Sequence, residues 1–179
     1  GYKEVATSNG TAYLKADGTV VYAHNGSETS SDSFTYTVSD GTNVSNTATV
    51  SYSVTPVNDN APVAVANGYS LNEGGLLSGS NIISNDTDAD LPAQTLTMAS
   101  VNGTAWASLT DSTHGTYSAA AGYKEVATSN GTVYIKADGT VQYQHNGSET
   151  SSDSFTYTVT DGANTSNTAD RKSTRLNSS

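Results

Sequence analysis

The chain has 179 residues, with 17 acidic side chains against 7 basic ones, a net charge of −10 and no cysteine. That acidity repels phosphate backbones and excludes a nucleic-acid partner, while the lack of cysteine excludes disulfides and thiol chemistry and leaves the compartment unreadable from redox usage. No apolar run approaches the roughly 20 residues of a membrane span, and three scattered histidines do not write a zinc or copper site.

Residues 1–48 return almost letter for letter at 122–169, with seven differences. A copied stretch of domain size marks a slice of a tandem array. Val21 corresponds to Gln142 and Ala23 to Gln144, while Val20/Val141 and Tyr22/Tyr143 are kept. Side chains alternate across a strand, so positions 20 and 22 should face a core and 21 and 23 solvent. Ala12/Val133 and Leu14/Ile135 differ but stay apolar. Between these segments stands Ala16-Asp17-Gly18-Thr19, whose Asp-Gly pair suits a tight turn. Hairpins are therefore predicted for 11–15 with 19–23 and for 132–136 with 140–144.

Phe34, Tyr36 and Val38 alternate with polar residues up to Asp40-Gly41, and Ala48, Val50, Tyr52 and Val54 do so up to Pro56. Pro56 and Pro62 bracket a polar stretch, the composition of a stiff linker. Val63/Val65, Tyr69/Leu71, Ile82/Ile83 and Leu96/Met98 are shorter strand candidates, and Trp106, Leu109 and Tyr117 lie in a looser stretch without assigned strands. No 3.6-residue period occurs, so the pattern predicts an all-β, antiparallel sandwich in tandem repeats.

Residues 1–57 then form the C-terminal half of one repeat, 58–62 a linker, and 61–169 the next repeat, about the size of a single core. The half-repeat is not expected to fold stably without its missing strands. Residues 170–179, Asp-Arg-Lys-Ser-Thr-Arg-Leu-Asn-Ser-Ser, interrupt the repeat where copy one continues Thr49-Val50-Ser51-Tyr52. This string equals the translation of a common sequencing adapter. It is read as foreign, and the second repeat is expected to lack its last strand.

Oxygen-bearing side chains cluster at Asn58-Asp59-Asn60 and at Asn85-Asp86-Thr87-Asp88-Ala89-Asp90. Calcium takes six to eight oxygen ligands, and alternating Asp residues on a short loop aim several carboxylates at one point. Asn and Asp are also ordinary turn formers, an alternative these clusters leave open. His24 and His145 stand near Asp32 and Asp153, but the Asn-Gly after each His marks an exposed turn and no nucleophile elbow is present. Catalysis is not expected. Tyr22, Tyr36 and Tyr52 occupy the inward parity and should be core residues.

Asn58-Asp59-Asn60-Ala61-Pro62 resembles the interdomain linker of cadherins, and Asp88-Ala89-Asp90 resembles the Asp-Ala-Asp of the domain that follows it. Leu71-Asn72-Glu73-Gly74 is similar to the early glutamate segment of such repeats. Asp32-Ser33-Phe34-Thr35-Tyr36-Thr37-Val38-Ser39-Asp40-Gly41 resembles the hallmark of bacterial cadherin-like repeats in large secreted adhesins. The resemblance implies an Ig-like or cadherin-like sandwich with Ca²⁺ at each junction. Asn58, Asp59 and Asn60 would serve as linker ligands, Asp88 and Asp90 would come from the following domain with Asp86 beside them, and Glu73 would serve the next junction. Pro56 stands where the resemblance implies a further Asp.

The implied function is a non-catalytic, calcium-stiffened extender repeat of a large bacterial cell-surface or secreted adhesin. Its partners would be neighbouring repeats of the same chain, with a cell-surface or glycan ligand reached through other domains. The alternative is a carbohydrate- or protein-binding accessory module of a secreted multidomain enzyme, which calls for an exposed aromatic platform around Trp106.

Overall fold

A computed structural model describes residues 1–175 of the chain. They form two compact units. The first comprises Gly1–Asn58 with Asp90–Pro92, and the second Asp59–Ala89 with the chain from Ala93 onward.

The first unit contains β1 (Lys3–Ala6), β2 (Gly10–Leu14), β3 (Val20–His24), β4 (Ser31–Tyr36) and β5 (Ala48–Ser53). Strands β1-β2-β3 form one sheet and β4-β5 a second. The β2–β3 hairpin pairs Leu14 with Val20 and Ala12 with Tyr22, the predicted register. Its turn closes with Lys15 N–H donating to Thr19 O at 2.9 Å. Gly18 takes φ 87°, a left-handed value that an L side chain resists, and so the Asp-Gly dipeptide is placed there.

The second unit begins with β6 (Asn67–Leu71), β7 (Leu76–Asn81), β8 (Thr97–Val101), β9 (Thr104–Ala105) and β10 (Thr110–Asp111). It continues with β11 (Lys124–Ala127), β12 (Gly131–Ile135), β13 (Thr140–His145), β14 (Ser152–Thr160) and β15 (Ala169–Arg175). Two five-stranded sheets result, ordered β10-β11-β12-β13-β7 and β6-β15-β14-β8-β9. All pairings are antiparallel except β15 with β6, which run parallel. Short 3-10 turns at Trp106–Ser108 and Ala119–Ala121 occupy the stretch that lacked periodicity.

Ile82, Val101, Val133, Ile135, Val141 and Val159 are fully buried between the sheets, with Met98, Tyr143, Phe155 and Tyr157 among them. Each such side chain contributes about 1.5–3 kcal/mol of transfer free energy. The inward parity predicted for Val141 and Tyr143 therefore holds. The outward parity predicted for position 142 does not, because Gln142 is buried. It pairs across the hairpin with Tyr134, and Tyr134 packs under Tyr117 and His114, with ring centroids 5.2 and 5.1 Å away. The loose segment thus covers the outer face of this sheet. Val63 and Val65 form no strand: both are exposed, while Pro62 and Ala64 between and beside them turn inward.

Where the second repeat was expected to lack its last strand, β15 is present and carries residues 170–175; residues 176–179 of the stretch expected to be foreign lie outside the described residues. Its register on β14 sets Arg171 against Phe155, the place Val50 takes against Phe34 in copy one. Ser173 takes the place of Tyr52, which stacks on Tyr22 at 4.1 Å. The Arg171 guanidinium uses the room that a tyrosine would fill. It lies 4.4 Å from the Tyr69 ring and 5.6 Å from those of Tyr143 and Phe155. Burial pulls its pKa down to about 10, against the opposing pull of Tyr69, Tyr143 and Asp153, so it is charged at neutral pH. Its Nε and Nη2 are buried without a hydrogen-bond partner. Cation–π contacts recover part of that desolvation, but backbone pairing, not side-chain fit, is what holds β15.

Each copy also carries a buried aspartate. Asp153 accepts from Thr128 Oγ1, from Asn130 N at 3.1 Å and from Tyr143 OH at 2.7 Å. Asp32 repeats the pattern with Thr7, Asn9 and Tyr22. Burial pushes the Asp153 carboxyl up, but the hydrogen bonds outweigh it and leave the pKa lowered. At Asp32 the Thr7 bond dominates and lowers it to about 2.

Two expectations follow. Because Arg171 and Ser173 stand where copy one has Val50 and Tyr52, the pair Arg171→Val and Ser173→Tyr should raise stability by roughly 1–4 kcal/mol. Thermal unfolding should show a higher melting temperature, and an unchanged one would refute the mismatch. Both aspartates have lowered folded-state pKa values, so their stabilisation is complete above the ordinary carboxylate range near pH 4 and drains as pH falls toward 2. Asp32→Asn with Asp153→Asn should lower stability at pH 7 and flatten its decline over that window in urea titrations.

Candidate metal centre

The loop after β7 is pinned by a two-way bridge. Val63 N–H donates to Thr87 O at 2.7 Å and Thr87 N–H to Val63 O at 3.1 Å. This turns Asp86 toward the core, where Oδ1 accepts from Val65 N at 2.8 Å and from Tyr157 OH at 3.2 Å. Its Oδ2 is buried with no hydrogen-bond partner, and burial raises its pKa. Two residues on, Asp88 brings a carboxylate oxygen within 4.8 Å of one from Asp161.

Asp161 heads the turn between β14 and β15. Its Oδ1 accepts from Ala163 N at 2.7 Å and Asn164 N at 2.6 Å, and these backbone bonds, Asn164 first, hold its pKa low. Asn164 Nδ2 then donates to Asn60 O at 2.9 Å, which fastens the start of the second unit to this turn. Asn60 Nδ2 in turn donates to Asp59 Oδ1 at 3.3 Å. The second unit therefore gathers Asn60, Asp86, Asp88 and Asp161 at one end. Within the first unit, Glu28 and Asp90 also place carboxylate oxygens within 4.8 Å of each other, and Glu28 Oε2 accepts from Leu91 N at 3.2 Å. Asp90 is buried.

Of the residues singled out from sequence, Asp88 approaches Asp161, and Asn60, with Asp59 bonded to it, is tied through Asn164 to the turn that Asp161 heads. Asn58 and Asp90 belong to the first unit. Glu73 is elsewhere. It precedes β7 while Asp86 follows it, and six strand residues separate them by about 20 Å. Asp161 and Glu28 were missed. Asp161 reads as a turn former in Thr160-Asp161-Gly162, and only its equality with Asp40 in copy one, which caps the same turn, marks it. Glu28 has its copy in Glu149.

The donor set is entirely oxygen, with carboxylates close together and one buried carboxylate oxygen lacking a partner. That suits a hard cation such as Ca²⁺ and offers nothing to softer metals. His145 is buried, not in an exposed turn. Its Nδ1 accepts from Gly147 N at 3.1 Å and Gly74 N at 3.3 Å, and its Nε2 meets Thr150 Oγ1. Its ring is committed to holding two turns. Trp106 is half-buried and packs against the hydrophobic core. Among the described residues no helix is long and apolar enough to cross a membrane.

A family model described as a bacterial cadherin-like domain matches residues 59–174, and one described as a bacterial Ig domain matches residues 2–53. Among curated proteins, Extracellular matrix protein 3 of Lytechinus variegatus is 32% identical over 140 residues, covering 78% of this chain and 4% of that protein. Extracellular matrix organizing protein FRAS1 of Homo sapiens is 32% identical over 172 residues, covering 92% of this chain and 4% of that protein. The chain thus spans a small fraction of these relatives. Among solved structures, a protocadherin gammaB7 cis-dimer of EC3-6 superposes with TM-score 0.50 at 16% identity, over 98% of this chain and 38% of that one. At that identity the likeness speaks to fold alone.

Proposed function

We propose that this chain, which belongs to the bacterial cadherin-like domain family, serves as a calcium-stiffened, non-catalytic extender segment of a large extracellular adhesin. The observation that carries this reading is the approach of Asp88 to Asp161, two residues along the loop from Asp86, whose buried Oδ2 has no hydrogen-bond partner. Like charges held together by hydrogen bonds and turns repel one another, and a divalent cation relieves that repulsion. Asp88 and Asp161 would hold the ion, with Asp86, Asp59 and Asn60 of the same unit supplying further oxygens. Glu28 and Asp90 of the first unit are a second carboxylate pair of the same chemistry.

Glu73 supports a repeating arrangement. Gly74 N–H donates to His145 at the end of the second unit that also carries Glu149, the copy of Glu28. Glu73 and Glu149 would then serve the following junction. Adjacent repeats are the partners on this reading, and the names of the matrix relatives support a place outside the cell. The accessory-module alternative is weaker, because Trp106 packs against the core and offers no open platform.

Calcium in hundredfold excess over its Kd should stabilise the full chain by about 2.7 kcal/mol. For a domain of roughly 100 residues that is a rise of about 13 °C in Tm. Asp88→Asn with Asp161→Asn should abolish the rise, and small-angle scattering should show calcium-dependent dimensions in the parent chain alone. Equal melting temperatures and dimensions with calcium and with chelator would refute the proposal.

A further inference from the structure

The two copies place matching apolar side chains at corresponding positions, yet bury them very differently. Val159 and Tyr157 are 0% and 1% exposed, whereas their counterparts Val38 and Tyr36 are 61% and 41% exposed. Val126 is buried and Val5 exposed; Val141 and Ile135 are fully buried, while Val20 and Leu14 are only half-covered. In the first unit Leu14, Val20, Phe34, Tyr36, Val38 and Val50 line an open groove of about 580 Å³.

The second unit shows what covers such a face. Ile82, Met98, Val101 and Leu109, all from the segment 62–121, fill the space against Val133, Ile135, Val141, Phe155 and Val159. The polar contacts are as specific. Tyr157 OH lies 2.8 Å from Val65 O, 2.9 Å from Ile82 O and 3.2 Å from Asp86 Oδ1, and it accepts from Asn67 Nδ2 at 3.0 Å. Every one of these partners belongs to the same segment. Tyr36 carries the same hydroxyl on the same strand. The covering segment of the second unit runs straight through Ala121 into Gly122, the residue that corresponds to Gly1.

We infer that the open face of the first unit is a docking surface for one occupant, a half-repeat with the chemistry of residues 62–121 joined ahead of Gly1. It would insert counterparts of Ile82 and Met98 between the sheets and close Tyr36 OH with counterparts of Asn67, Ile82 and Asp86. Apolar matching drives the docking, and the tyrosine hydroxyl fixes its register. This inference does not depend on calcium.

The test joins a second copy of residues 59–121 directly to Gly1 of the full chain and follows amide hydrogen exchange, with calcium and with chelator. Exchange of β3, β4 and β5 amides should slow by at least a hundredfold, toward the rates of β13 and β14, in both conditions. Tyr36→Phe should then speed exchange of these amides by about tenfold in the extended chain and leave the original chain unchanged. Placing Asp at the added copies of Ile82 and Met98 should cancel the protection. Unchanged exchange on extension would overturn the inference. So would protection of the original chain that rises with its concentration, which would assign the face to a second molecule. A response confined to calcium would also overturn it, since it would make ion binding the cause.

Discussion

One phenol hydroxyl ties the second unit together. Tyr157 stands on β14 with its ring fully buried, and its oxygen reaches the chain near Val65, the carbonyl at the end of β7 and the Asp86 carboxylate. A hydroxyl has a single proton, so these acceptors share it, and Asn67 Nδ2 supplies the complementary bond. The proximity of that carboxylate and the burial of the ring both raise the energy of ionising the phenol, burial more strongly, so its pKa is raised. Without this knot, the entry segment, the aspartate loop and the central strand would have no common reference point. The position of Asp86, and through the Val63–Thr87 bridge that of Asp88, is a consequence of core packing.

Charge is handled in three different ways in this chain. Asp153 is buried with four donors around it, and its ionised form is favoured. Arg171 is buried against aromatic faces, with no acceptor for its Nε and Nη2, so backbone pairing of β15 tolerates a side chain the core does not fit. Asp88 and Asp161 are held near each other by local turns that would form in any event. The first arrangement stabilises the fold outright, and the second weakens it. The third leaves two like charges close together, and on the proposed reading a hard cation relieves their repulsion.

Duplication made much of this legible in the sequence. Conserved and altered neighbours at 20–23 and 141–144 disclosed the hairpin and its inward face, because strand alternation converts substitution parity into geometry. Gln142 escaped the same logic, since a non-periodic segment with His114 and Tyr117 folds over the outer face, and no local pattern announces such a cover. Val63 and Val65 looked like a strand, yet the neighbouring Pro62 and Ala64 take the inward positions. Arg171 and Ser173 read as foreign to the strand, but a neighbouring strand with unpaired backbone groups accepts almost any extended partner. Within the site, Asp86 and Asp88 stood out by spacing. Asp161 and Glu28 did not, because an Asp-Gly turn and a polar loop are common, and proximity to distant carboxylates is a tertiary fact.

On the proposed reading, packing around Tyr157 and the turn at Asp161 present the carboxylates of Asp88 and Asp161 to a hard cation. A crystal structure of the chain grown with millimolar calcium tests it most directly. The account predicts an ion with oxygens of Asp88 and Asp161 at about 2.3–2.6 Å, completed by further oxygen ligands. Carboxylates of Asp88 and Asp161 surrounded by water alone, under the same conditions, would contradict it.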